Sequence, residues 1–138
     1  MTTSIANRTY GRMVELDMPF DEAVEKTTDV LKDQGFGVLT TIEVDKVLKA
    51  KLDVDRDRYT ILGACNPGFA KQALEADIDI GLLLPCNVVV REENNRRYVT
   101  FVDPQAMLAA AGESAELQGI AADVKTRLDA AAEALANR

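Results

Sequence analysis

The sequence predicts one domain of mixed helix and sheet, a single sheet with helices mainly on one face and a long C-terminal helix. Three observations carry this. Short segments alternate apolar and polar residues with the period of a strand. Between them lie segments whose apolar residues recur every three or four positions, so each helix has one stripe and one face to bury. The length, 138 residues, suits one domain with a real core and is short for two, so residues 1–138 read as one unit.

Residues 8–18 alternate, with Tyr10, Val14, Leu16 and Met18 on one face of a strand. Pro19 then opens a helix in its first turn, and Asp21 and Glu22 favour the positive end of its dipole. Phe20, Ala23, Val24, Thr27 and Leu31 form the inner stripe, and Gly35 can end the helix in the left-handed conformation. Residues 36–44 read as a second strand and 45–52 as one or two helical turns. A third strand spans 59–65. Asn66 caps the next helix, Pro67 takes its first position, and Phe69, Ala70, Ala73 and Leu74 give its apolar side. Residues 81–91 and 97–103 are strand-like and flank a turn at 92–96. Pro104 starts a short helical piece. After Gly112 the stripe Leu117, Ile120, Ala121, Val124, Leu128, Ala132 and Leu135 marks an amphipathic helix at about 113–136.

The charge balance excludes several functions. With 16 basic and 23 acidic side chains the net charge is −7. Phosphate backbones and anionic membrane surfaces call for clustered Lys and Arg, so neither nucleic acid nor membrane is an expected partner. The chain contains no histidine, which removes every imidazole-based triad. The longest apolar stretch, 80–90, falls well short of the roughly 20 residues of a membrane helix. The first residues lack the basic and apolar regions of a secretory leader, which predicts a cytoplasmic location.

Two motifs fail on inspection. Gly63 and Gly68 have the spacing of a phosphate loop, but Phe69 and Ala70 stand where Lys and Ser or Thr are required. Asp53, Asp55 and Asp57 start like a calcium loop, but Arg58 replaces the glycine and Ala64 the bidentate glutamate. An ion-paired, solvated loop is the better reading. No metal and no cofactor are expected.

Cys65 and Cys86 form the one constellation worth keeping. Cys65 ends a strand beside the helix capped by Asn66, where a thiol feels the positive end of the dipole. Cys86 follows Pro85 after the apolar run Leu82–Leu84. Should their strands be neighbours, the thiols approach and can meet a thiophilic or apolar ligand. Asn66 and Asn87 offer amides to orient it. The candidate site is therefore Cys65, Asn66, Cys86 and Asn87, with Cys65 the more reactive thiol. The alternative is that both cysteines are small core hydrophobes.

Phe20 and Ala23, the Gly35–Leu39 segment, Leu62–Pro67, Gly81–Val90 and Val102–Pro104, in this order, resemble the family known as domain of unknown function 302. The resemblance covers about residues 10–110 and least of all the tail from residue 113. It implies an α+β domain with an antiparallel sheet, comparable to the TATA-binding-protein-like fold, and a dimer. It supplies no activity. The helix-free face of the sheet also calls for cover, and Met13, Val99 and Phe101 are expected on it. The reading is a homodimeric binding or accessory protein with a ligand or thiol site around Cys65 and Cys86. The alternatives are a thiol-dependent redox or sulfur-transfer enzyme, or a purely structural interaction protein using the C-terminal helix.

Overall fold

The computed structural model describes residues 5–7 and 9–137. The chain opens with β1 (Ile5–Asn7), too short to show a period in the sequence, and β2 (Gly11–Leu16). Tyr10 falls before β2 and is 73% exposed, not on its inner face. Its carbonyl accepts the N–H of Asp103 at 2.8 Å, so the backbone rather than the ring is used here.

Helix α1 (Phe20–Asp33) follows Pro19 directly. Gly35 closes it at φ 85°, its N–H bonding to the Lys32 carbonyl and that of Phe36 to the Leu31 carbonyl. A Cβ is unfavourable in that conformation. Strand β3 (Gly37–Glu43) leads into α2 (Val44–Leu52), a helix with no buried residue. Strand β4 (Tyr59–Cys65) has the predicted limits. Helix α3 (Pro67–Ala76) starts on its Asn66 cap, whose Oδ1 accepts the Phe69 N–H at 3.2 Å.

The region after α3 departs from expectation. Residues 81–85 are not strand: Ile78–Leu83 forms a 3-10 helix, and β5 runs only from Cys86 to Glu93. Asp77 caps this turn through the Asp79 N–H, and Pro85 has no N–H to give a ladder. Strand β6 (Arg96–Val102) returns through Asn94 and Asn95, both at positive φ (52° and 62°). Two such residues make the tight turn that matches strand twist. Asp103 caps α4 (Pro104–Leu108), and Ser114 caps α5 (Ala115–Ala136).

All neighbouring strands are antiparallel, in the order β1-β2-β6-β5-β4-β3. The molecule is thus one α+β domain with a single antiparallel sheet and the long C-terminal helix predicted, and β1 makes the sheet six-stranded, one strand more than expected from the sequence. Val14, Leu62, Val88, Val90, Val99 and Phe101 are buried on the side covered by α1 and α5. Each large apolar side chain buried this way is worth about 1.5–3 kcal/mol.

The assignment of the other face needs correction. Val99 pairs with Val14 and Phe101 with Arg12, and both are core residues at 0% and 1% exposure. Met13 alone of the three expected side chains lies on the opposite face, paired with Thr100. In a strand a shift of one residue exchanges the faces. The stripe of α5 is buried as expected, with Ala131 added. Arg12 fixes this helix to β2, reaching Asp129 at 3.4 Å and Glu133 at 2.6 Å.

Candidate functional site

The β4–α3 corner sets the site. Cys65 is the last residue of β4 and is half-buried. Cys86 is the first residue of β5, pairs with the neighbouring Ala64, and is buried. Both line one cavity of about 230 Å³. Asn66 lines it too and supplies its one polar side chain. Three of the four candidate residues are therefore brought together.

Asn87 is not. It pairs with Gly63, one register position past Cys86, and its exposed side chain belongs to the other face of the sheet. The apolar wall also differs in detail. Leu84 and Pro85 line the cavity, whereas Leu82 is 88% exposed on the 3-10 turn.

Most of the enclosure comes from elements that the candidate site did not include. Phe36 and Leu39 close it from the β3 side, Met107 and Leu108 from α4, Ile120 and Val124 from α5. On α3 the wall is Phe69, Ala70 and Ala73. The α3 and α5 members were legible as apolar stripe residues, but a stripe does not reveal that part of it borders an empty volume. Small side chains at Ala64, Ala70 and Ala73 leave that volume open.

Burial pushes the Cys86 thiol up to about 11, and the nearby charge of Cys65 pushes in the same direction. Cys86 is thus a neutral thiol at physiological pH, a soft contact surface rather than a nucleophile. Cys65 has the greater access.

The end of α1 lies beside Asn66, a lining residue. A Cβ on Gly35 would come within 2.9 Å of Asn66 Nδ2 and 3.5 Å of Arg127 Nη1. Arg127, on α5, places its guanidinium 5.3 Å from the centre of the Phe69 ring.

Among the described residues no three of Cys, Asp and Glu converge as metal ligands. The aspartates at 53 and 55 are held by Lys49, at 2.8 and 3.2 Å. The loop is ion-paired as expected, but through Lys49 rather than the interleaved arginines: Arg58 pairs with Asp21 at 2.9 Å and Arg56 stacks on Tyr59. No helix among the described residues is long and apolar enough to cross a membrane.

A family model for domain of unknown function DUF302 matches residues 12–135. The chain belongs to the DUF302 family. The match runs well past residue 110, so α5, with its two cavity-lining residues, lies within the family domain. The crystal structure of an uncharacterized conserved DUF302 protein from Bacillus stearothermophilus is similar throughout. Its TM-score is 0.82 and its identity 31%, over 91% of this chain and 98% of that one. No curated protein matches. The DUF302 relationship carries the fold and the extent of the domain, and leaves chemistry to the site itself.

Proposed function

We propose that this DUF302 chain is a binding protein that holds a small apolar ligand in the cavity bordered by Cys65, Asn66 and Cys86. The observation that carries this reading is the cavity. It is lined by carbon, sulfur and a single amide. Native cores leave few voids larger than a water molecule. An apolar cavity of about 150 Å³ already takes benzene, and this one measures about 230 Å³. Without histidine and with Cys86 held neutral, the thiol-enzyme alternative has less support.

The test uses Cys65 as the reporter. Iodoacetamide at neutral pH should alkylate Cys65 in a fast phase and Cys86 slowly, so that Cys65→Ser removes the fast phase and Cys86→Ser keeps it. Saturating benzene or 1-hexanol should slow the fast phase several-fold, and Ala73→Phe, which fills the cavity, should abolish that protection. Two thiols that react only after denaturation, or a fast phase indifferent to both compounds, would overturn the reading.

The same proposal includes a homodimer. Strand β3 is an edge of the sheet, contains no Pro or Lys, and exposes Leu39 (67%) and Ile42 (47%). Unprotected edges of this kind invite pairing with another chain.

A further inference from the structure

From Arg127 we infer that the ligand is an amphipathic anion: an unbranched carboxylate whose chain of about six to eight carbons fills the cavity and whose carboxylate sits at the mouth. This rests on the binding reading above and adds the head group to it.

The argument starts from charge. The chain has 23 acidic and 16 basic side chains, and most of its described arginines are ion-paired. Arg12, Arg58, Arg91, Arg96 and Arg97 each reach a carboxylate. Among the described residues Arg127 reaches none; its Nη1 donates to the Gln34 carbonyl at 3.2 Å. Arg56, the other such arginine among the described residues, stacks on Tyr59 from the loop before β4 and does not line the cavity.

Position then gives the exception meaning. Arg127 is one turn along α5 from Val124, a cavity-lining residue, so the two share a face of the helix. Its guanidinium lies over Phe69, and it and the Asn66 amide both stand next to Gly35; Phe69 and Asn66 line the cavity. Stacking on the ring fixes the plane of the guanidinium and leaves its remaining N–H groups for an acceptor. Arginine forks match carboxylates, and the Asn66 NH2 supplies a further donor. Inside, the cavity offers nothing to a charge, so the ligand's body must be apolar and its charge must stay at the mouth.

Octanoate and 1-octanol, which share a tail, separate head from body in calorimetric titrations of the full chain. Octanoate should bind at least fivefold tighter than octanol in low salt. Arg127→Gln should erase that preference, and Arg127→Lys should restore part of it. Equal binding of the two by the wild-type protein, or octanoate binding indifferent to Arg127→Gln, would overturn the head-group assignment while the cavity reading stood. Failure of both probes to bind would overturn the two together.

Discussion

Raising the pH from 7 to about 10.5 should cost this protein stability through a single side chain, Cys86. The thiol is 7% exposed, and burial with the nearby Cys65 charge moves it from 9.0 to about 11 in the folded state. A folded-state value above the unfolded one means that the contribution is fully present below about pH 9 and is lost as pH rises towards 11. Over this interval the unfolded thiol ionises and the folded one stays neutral, so the two values give a loss of about 2 kcal/mol. The assay is urea denaturation at a series of pH values for the wild-type protein and for Cys86→Ala. Tyrosines and lysines titrate in both, so their effects cancel in the difference. Cys86→Ala should be less stable at pH 7, through its lost packing, and the gap should narrow by about 2 kcal/mol by pH 10.5. Cys65→Ala should retain most of the pH-dependent loss, because burial is the larger cause. A wild-type–Cys86→Ala difference constant to within about 0.5 kcal/mol across the range would refute the reasoning.

Gly63→Ala should destabilise the protein by about 1–3 kcal/mol, measured by denaturation, because the new Cβ would meet Thr40 Oγ1 at 2.2 Å and Pro85 Cγ at 2.9 Å. Gly37→Ala, with nothing within 4 Å, should change stability by no more than about 0.5 kcal/mol and serves as the control. Light scattering at tens of micromolar protein should give twice the chain mass of 15.0 kDa, and a mass near 15 kDa would remove the homodimer from the proposal.

Punctuation made most of the fold legible. Pro19, Gly35, Asn66, Pro67 and Pro104 mark helix ends by local backbone chemistry, and each sits at or beside a helix end in the structure. The faces were harder to read. In β2 the alternation has the right phase, Val14 and Leu16 inside and Met13 outside, but in β6 it puts Val99 and Phe101 on the wrong face, and only the pairing of β6 with β2 settles that they are buried. The run Leu82–Leu84 shows a different limit: an apolar stretch has no period of its own, so Asp77, Gly81 and Pro85 decided its conformation. Cys65 and Asn66 could be placed at the site because a strand end and a cap are local. The cavity depends on which small residues face which stripes across α3, α4 and α5, and on the Arg127 guanidinium arriving from 61 positions beyond Asn66 in the sequence. No local pattern encodes that meeting.

The order in which a ribosome delivers the chain gives α5 a further meaning. It follows every strand in the sequence, yet Leu117, Ile120, Val124, Leu128 and Leu135 belong to the core beneath which those strands lie. Until residue 135 has left the exit tunnel, the sheet is synthesised but the part of its apolar side that α5 covers stays wet. Arg12 waits for Asp129 and for Glu133, the latter 121 positions later in the sequence. Domains usually consolidate as units during synthesis, and this one can do so only once α5 has been made. Ile120 and Val124 arrive in the same step, so a nascent chain has nowhere to hold a ligand, and binding competence coincides with completion of the fold.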